Sequence, residues 1–276
     1  MELTWYPAPG KLNLFLHVLG RREDGEYAGY HELQTAFRLI ERGDRVGIAL
    51  RDDGEIRFSG IFGDENLCVR AARLLKEQAG TPQGCTLSLE KNLPIGGGLG
   101  GGSSDAATVL LVLNRLWNTR LARKELMEIG LRLGADVPVF LFGRNALGEG
   151  IGERLSALEL PAAWYLVLEP QVSVSTKETY GLALTGQAKR ITIPPFFPGQ
   201  GRNDLEPVVT ARYPEVAAHL AWLKSRNPRS RMTGSGACVF AEFESEAQAL
   251  ALELPGGMRG FVARGLEHHP LLEWAD

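Results

Sequence analysis

The sequence contains few cysteines, and their pattern argues against the sites that cysteines usually build. Cys68, Cys85 and Cys238 are widely spaced and odd in number. This pattern suits neither a disulfide framework nor a zinc site, and it is typical of reduced thiols. The five histidines show no metal-ligand spacing either. We therefore expect a cytoplasmic protein whose cysteines stay reduced.

Long apolar runs and a large excess of one charge are also missing. The net charge is -3 over 276 residues, which gives no broad basic surface for nucleic acid. No apolar run is long enough to span a bilayer, and residues 1–4 lack the basic start of a signal peptide. The 44% hydrophobic content and the length indicate a globular protein of one large or two ordinary domains. We expect neither nucleic-acid nor membrane binding.

Glycine, in contrast, is concentrated in one place. Residues 94–105 read PIGGGLGGGSSD, and an apolar run follows at 106–113. Glycine lets several backbone N–H groups turn toward one anion, and Ser103, Ser104 and Asp105 are predicted to cap a buried helix. A glycine loop that leads into a helix N-terminus favours phosphate binding. A linker or a glycine hairpin is the alternative, but neither normally runs straight into a capped apolar helix.

This loop departs from the two common phosphate motifs. A Walker A motif requires lysine after its last glycine, and here Gly102 is followed by two serines. A G-x-G-x-x-G match begins at Gly96, but Pro94 interrupts the approaching strand and the expected acidic position falls near Leu121, with none from there until Glu125. Lysine is scarce, at 7 against 23 arginines. Because the loop itself contains no lysine, a lysine that stabilises a bound nucleotide must come from elsewhere in the chain.

Hydrophobic periodicity predicts strands and helices in mixed order. The predicted strands are 12–18, 45–50, 86–89, 164–168 and 238–243; the predicted helices are 66–78, the loop helix to about 117, 121–133, 216–225 and 245–252. Residues 186–202, rich in proline, are predicted to form an extended loop. The absence of regular βα alternation indicates an α+β protein of two lobes, 1–155 and 156–276, with a ligand cleft between them.

Three short motifs carry further candidate residues, each with an ordinary alternative. Residues 9–13, PGKLN, place Lys11 at the start of a strand, although an isolated lysine is more often solvated. Residues 134–138, GADVP, place Asp136 where it could simply cap the next helix. Residues 233–237, TGSGA, form a second glycine loop that could be only a tight turn.

In this order, the motifs resemble the GHMP kinase superfamily, named for galactokinase, homoserine kinase, mevalonate kinase and phosphomevalonate kinase. Its members carry a substrate motif, a glycine-serine ATP loop and a C-terminal glycine loop, which correspond here to 9–13, 94–104 and 233–237. Residues 29–35, GYHELQT, and 134–140, GADVPVF, are similar to the branch that acts on a cytidine-diphosphate-linked methylerythritol. The resemblance spans almost the whole chain. It implies a two-lobed fold, with an N-terminal lobe related to a ribosomal-protein domain and a ferredoxin-like C-terminal lobe.

The resemblance also implies an activity and assigns roles by position. The activity is ATP-dependent phosphorylation of the 2-hydroxyl of the methylerythritol unit, in the non-mevalonate isoprenoid pathway, with Mg²⁺ on the phosphates and no obligatory protein partner. Asp136 and Lys11 correspond to the catalytic carboxylate and lysine. The ATP-binding positions are Pro94, Ile95, Gly96, Gly97, Gly98, Leu99, Gly100, Gly101, Gly102, Ser103 and Ser104, with Asn66 on the adenine side. The substrate-binding positions are Asn13, Tyr30, His31, Thr176, Tyr180, Gly234 and Ser235.

Several alternatives stay open at this level. The family pattern Asp-Gly-Tyr-His is interrupted here by residues 26–29, so Tyr27 competes with Tyr30 for stacking on cytosine. Ser104 could bind the metal or cap its helix, and no metal ligand is assigned. Within the superfamily, a homoserine or mevalonate kinase is the alternative, which the Tyr30–His31 pair disfavours. A non-catalytic nucleotide-binding regulator is disfavoured by Lys11 and Asp136, and an RNA-binding role is disfavoured by the charge.

Overall fold

The long strand β2 (His31–Arg51) pairs with three other strands and holds the sheet of the first lobe together. The computed structural model describes residues 2–25, 27–60, 63–182 and 201–275. The strands of the first sheet are β1 (Thr4–Arg21), β2 (His31–Arg51), β3 (Ile56–Ser59), β4 (Gly84–Glu90), β5 (Ala146–Gly150) and β6 (Arg154–Ala157). β2 pairs with β1 on one edge, and β4 and β5 pair with its two halves on the other edge. β3 is parallel to β4, and the remaining pairs are antiparallel.

Four helices cover one face of this sheet: α1 (Leu67–Ala79), α2 (Gly101–Leu116), α3 (Arg123–Leu133) and α4 (Val137–Phe142). The predicted helix at 66–78 is confirmed, because the Asn66 side chain caps α1 and Gly80 ends it at φ 61°. α2 is confirmed to end at Trp117, but its predicted serine and aspartate caps are wrong. Gly100 occupies the N-cap, so Ser103, Ser104 and Asp105 lie inside the helix.

The second lobe is a four-stranded antiparallel sheet with helices on its outer face. Its strands are β7 (Trp164–Leu168), β8 (Arg231–Met232), β9 (Val239–Phe243) and β10 (Gly260–Arg264), in the order β10-β7-β9-β8. Its helices are α5 (Thr176–Leu182), α6 (Glu206–Arg212), α7 (Pro214–Lys224) and α8 (Glu246–Leu250), while short 3₁₀ turns form at Gly63–Glu65 and Leu272–Ala275. None of the helices in the described residues is long and apolar enough to cross a membrane.

The inner faces of the two sheets pack together and fix the lobes. In β7, Leu166 and Leu168 join the core beneath the helices of the second lobe. The alternate residues Tyr165 and Val167 join a core with Leu12 and other residues of the first sheet. Because β1 is covered on both faces, its burial is continuous from Ala8 to Val18, and β1 and β2 extend well beyond the predicted 12–18 and 45–50.

The predicted boundary between residues 155 and 156 stays a prediction. β6 crosses that position, and the chain returns to the first lobe at its end, where Leu271 and Ala275 join the first core. The predicted extended loop at 186–202 lies, except for its last two residues, outside the described residues.

The core of the first lobe offers a stability test. Leu110 lies on α2 in the first core and is fully buried, whereas Leu250 on α8 is 62% exposed. Leu110→Ala should lower the free energy of unfolding by about 2–5 kcal/mol, because it removes packed methyl groups and leaves a cavity. Leu250→Ala should change it by less than about 0.5 kcal/mol. Urea unfolding of both variants measures the difference, and equal losses would contradict the assignment of the core.

Candidate active site

A buried lysine lies at the centre of the cleft between the lobes. Lys11 projects from β1 and is only 2% exposed, so its interpretation as a solvated lysine is wrong. Its ammonium lies 3.2 Å from Asp136 Oδ2, and it donates to Asn13 Oδ1 at 2.6 Å and to the Gly98 carbonyl at 3.0 Å. These oxygens compensate for the hydration that the ammonium loses on burial.

Asp136 occupies the N-cap position of α4 but does not act as a cap. Its side chain makes no capping hydrogen bond, and it is 39% exposed toward the cleft. Its carboxylate instead pairs with the ammonium of Lys11. The local alternative from the sequence, a helix cap, is therefore not what this side chain does.

Asn13 belongs to a hydrogen-bond network that the sequence did not reveal. Its Nδ2 donates to Thr35 Oγ1 at 2.9 Å, which orients Oδ1 toward Lys11. Its backbone N–H donates to Thr233 Oγ1 at 3.0 Å, in the second lobe. Thr35 and Thr233 come from distant parts of the chain, so no local pattern marks them as partners of Asn13.

The glycine loop uses glycine for its backbone conformation. Gly96, Gly98 and Gly100 have φ values of 74°, 76° and 72°, a region that other residues rarely adopt. Because no side chain caps α2, the free N–H groups of its first turn remain available where residues 100–103 line the cleft. This helix end can hold an anion.

Ser104 lies apart from the rest of the predicted ATP loop. Residues 94–103 line the cleft, whereas Ser104 is fully buried and does not line it. Within the described part of the chain, its Oγ has no hydrogen-bond partner. Of the two serines, Ser103 is therefore the one that faces the cleft.

A buried ion cluster that the sequence did not predict supports the start of this loop. Lys91 pairs with Asp44 and lies 2.9 Å from Asp105 Oδ2. Asp44 Oδ1 accepts the backbone N–H groups of Asn92 and Leu93 at 2.6 and 2.8 Å. Burial raises the pKa of Asp105 to about 7, although Lys91 lowers it and Asp44 adds to the increase. The sequence offered one signal for Lys91, because lysine is scarce in this chain and Lys91 lies just before the glycine loop.

The second glycine loop forms a turn that crosses the ATP loop. The N–H groups of Ala237 and Cys238 donate to the carbonyls of Gly96 and Gly97 at 3.3 and 3.1 Å. A Cβ on Gly98 would lie 2.3 Å from the Thr233 carbonyl. The second glycine loop is therefore both a tight turn and a part of the site.

Aromatic side chains from both lobes lie at the other end of the cleft. The His31 and Tyr180 rings are 5.4 Å apart and tilted by 33°. Tyr30 is 56% exposed and lines the cleft, whereas Tyr27 contacts the Tyr30 ring edge without lining the cleft. Burial and the charge of Arg21 lower the pKa of His31, which favours its neutral ring.

The cleft that contains these groups has a volume of about 1350 Å³. Asn66 lines it, and Thr176 and Ser235 meet across it, with their hydroxyl oxygens 2.8 Å apart. Gly234 lines it beside Lys11. Except for Ser104, every residue to which the family resemblance gives a role lines this one cavity, and Tyr27, the alternative to Tyr30, does not.

Comparison with known proteins agrees with this geometry. The family models described as "GHMP kinases N terminal domain" and "GHMP kinases C terminal" match residues 66–144 and 197–258. A 4-diphosphocytidyl-2-C-methyl-D-erythritol kinase of Nitrosospira multiformis is 55% identical, covering 98% of this chain and 94% of the relative. The kinase of the same name from Thiobacillus denitrificans is also 55% identical, covering 98% of each chain.

Solved structures give the same grouping. A crystal structure of 4-(cytidine 5'-diphospho)-2C-methyl-D-erythritol kinase has a TM-score of 0.81 at 35% identity, covering 95% of this chain and 99% of the other. Homoserine kinase from Cytophaga hutchinsonii shares the fold, with a TM-score of 0.71 at 17% identity and coverage of 98% and 96%. The chain therefore belongs to the GHMP kinase family, in the branch of the 4-diphosphocytidyl-2-C-methyl-D-erythritol kinases.

Proposed function

We propose that this protein transfers the γ-phosphate of ATP to the 2-hydroxyl of 4-diphosphocytidyl-2-C-methyl-D-erythritol, a step of the non-mevalonate isoprenoid pathway. The observation that carries the proposal is the position of the Lys11–Asp136 pair, in one cleft with both the glycine loop and the aromatic group. Relatives 55% identical to this chain bear the name of that kinase.

Asp136 is assigned as the group that accepts the proton of the alcohol. A tertiary alcohol is a weak nucleophile, and in-line attack on a phosphate is helped by a carboxylate in hydrogen-bond reach. Asp136 is exposed to the cleft, and the ammonium of Lys11, 3.2 Å away, balances the charge of its carboxylate. Lys11 also offsets the negative charge that develops during transfer.

The backbone of residues 96–103 is assigned to the phosphates of ATP. The N–H groups at the start of α2 point out of the helix, and Lys11 and Lys91 line the cleft beside them. Positive charge thus comes from two other segments and not from a lysine within the loop. Asn66 and the start of α1 border the same end of the cleft, which suits the adenine.

The cleft can accept Mg²⁺ as part of the ATP complex. In the described residues no group of three or more His, Cys, Asp or Glu side chains could enclose a metal, so the phosphates must supply most of the ligands. This arrangement fits Mg²⁺, which favours phosphate oxygens and water. Ser103 is the serine of the glycine loop that lines the cleft and would be available to it. When bound with ATP, the metal would offset negative charge on the phosphates.

Tyr30, His31 and Tyr180 are assigned to the cytidine. The two tyrosine rings offer apolar faces for stacking, and the neutral His31 ring offers a polar contact to the base. These residues come from both lobes, so the substrate spans the cleft with its methylerythritol unit near Asn13 and Asp136.

A coupled assay of ADP release over several alcohols tests the proposed function. The cytidyl substrate should react, and free 2-C-methylerythritol should react poorly, because binding energy from the cytidine positions the reacting hydroxyl. Efficient turnover of homoserine or mevalonate, with none of the cytidyl compound, would place the protein in another branch of the family.

The role of Asp136 can be tested against an aspartate of equal exposure. Asp136→Asn should lower kcat by about 100-fold or more, because the amide cannot accept the proton, while ATP still binds. Asp53 is 41% exposed and pairs with Arg51 away from the cleft, so Asp53→Asn should change kcat by less than about twofold. Steady-state kinetics and calorimetry with ATP measure both effects. A normal kcat for Asp136→Asn would reject its assignment as the base.

Gly102 permits a test of phosphate binding that spares the fold. A Cβ on Gly98 would clash with backbone, whereas one on Gly102 would meet only Leu67 Cδ1, at 3.6 Å. Gly102→Val should therefore fold normally but weaken ATP binding at least about tenfold, by blocking approach to the helix end. Gly256→Val, at an open position, is the control. Calorimetry that finds unchanged ATP affinity in Gly102→Val would contradict the assignment.

Substitution can separate the roles of Tyr27, in the insertion at 26–29, and of Tyr30, which follows it. Because Tyr30 lines the cleft and Tyr27 does not, Tyr30→Ala should raise KM for the cytidyl substrate about 5- to 100-fold. Tyr27→Ala should raise it less, and neither variant should alter KM for ATP. Kinetics with both substrates measure these constants. A larger effect of Tyr27→Ala would assign the stacking role to Tyr27.

A further inference from the structure

A short segment before α6 binds tightly to the strand that carries Lys11. The Leu16 N–H donates to the Arg202 carbonyl at 3.0 Å, and the Asp204 N–H donates to the Leu16 carbonyl at 2.8 Å. Asp204 Oδ2 also accepts the Val18 N–H at 2.9 Å. The backbone on each side of Asn203 is thus fixed to β1.

Asn203 extends from this segment to the second glycine loop. Its side chain is 2% exposed and does not line the cleft. Nδ2 donates to the carbonyls of Met232 and Gly234 at 2.9 and 2.7 Å, and Oδ1 accepts the Leu205 N–H at 2.9 Å. Both amide hydrogens are used, so this side chain serves other residues and leaves no donor for a ligand.

The backbone that Asn203 holds lies against the proposed reaction centre. Gly234 has φ 55°, and a Cβ there would lie 3.3 Å from both Lys11 Nζ and Asn13 Oδ1. The neighbouring Ser235 lies within hydrogen-bond distance of Thr176, at 2.8 Å. A shift of this stretch would therefore change the surroundings of the lysine and of the alcohol-binding side.

We propose that Asn203 is a positioning residue for phosphoryl transfer, which fixes the second glycine loop to β1 by holding the carbonyls of Met232 and Gly234. This proposal rests on the proposed function. The far end of the loop is held separately, by hydrogen bonds from Ala237 and Cys238 to the carbonyls of Gly96 and Gly97. Thr233 Oγ1 also donates to the Gly98 carbonyl at 3.3 Å, so loss of Asn203 should disturb the alcohol side more than the ATP loop, which keeps its bonds from Ala237 and Cys238.

Asn145 provides a matched control. It is 3% exposed, its Nδ2 donates to the carbonyls of Leu266 and Glu267, and its Oδ1 accepts the Leu39 N–H. Like Asn203, its side chain donates to two backbone carbonyls and accepts one backbone N–H. Unlike Asn203, it does not contact the glycine loops, and it does not line the cleft. Asn145→Ala thus reports the general effect of removing a buried carboxamide.

Kinetics of Asn203→Ala, Asn203→Asp and Asn145→Ala test the proposal at a temperature at which each variant is folded. For both Asn203 variants, kcat should fall at least about tenfold, while KM for ATP changes less than about threefold. For Asn145→Ala, kcat should change less than about twofold. Asp keeps the acceptor for Leu205 but lacks the donors for the loop, so a normal kcat in Asn203→Asp would overturn the proposal. An equal loss of kcat in Asn145→Ala would also overturn it.

Amide hydrogen exchange without substrate separates this proposal from the proposed function. Exchange in peptides covering 231–238 should be faster in Asn203→Ala than in the wild type or Asn145→Ala, and exchange across α2 should be unchanged. If the wild type does not phosphorylate the cytidyl compound, the proposed function fails and exchange alone decides whether Asn203 holds the loop. Unchanged exchange at 231–238, or loss of folding in both Asn203 variants alone, would overturn the proposal.

Discussion

The charge of Lys11 constrains the whole site. An ammonium buried at 2% exposure is costly unless oxygens surround it, and here they come from β1, the ATP loop and the start of α4. Each of these segments must therefore keep its position for the charge to remain buried. The same requirement places Asp136 within 3.2 Å of the ammonium and beside the ATP loop. The burial of this lysine and the proposed chemistry thus depend on one arrangement.

The two glycine loops transmit this constraint between the lobes. The ATP loop accepts backbone N–H groups from the second loop, and Gly98 lies too close to Thr233 for any side chain. Together with the shared core between the sheets, this contact fixes the geometry of the cleft floor. The helix end assigned to phosphate and the loop assigned to the alcohol side therefore form one packed unit. Its support comes from buried polar groups, Asp44 on one side and Asn203 on the other.

The aromatic end of the cleft is built differently. Tyr30 is largely exposed and makes a T-shaped contact with Tyr27, while His31 and Tyr180 approach from opposite lobes. The proposed recognition of a base there depends on aromatic side chains, whereas the reaction centre depends on backbone and buried charge. In the proposed function, this difference separates substrate selection from the chemistry that the family shares.

Local chemistry in the sequence was enough for the elements that carry their own signals. Asn66 and Gly80 define α1, the apolar run behind the glycine loop defines α2, and a short run of aromatic and branched apolar residues defines β7, because these signals act over a few residues. Family resemblance added the list of site residues. Only the tertiary structure decided that Asp136 does not cap α4, that Ser104 is buried, and that Asp44, Lys91 and Asp105 form a cluster. Such pairings join segments far apart in the chain, and burial and charge balance select them only when the lobes have packed.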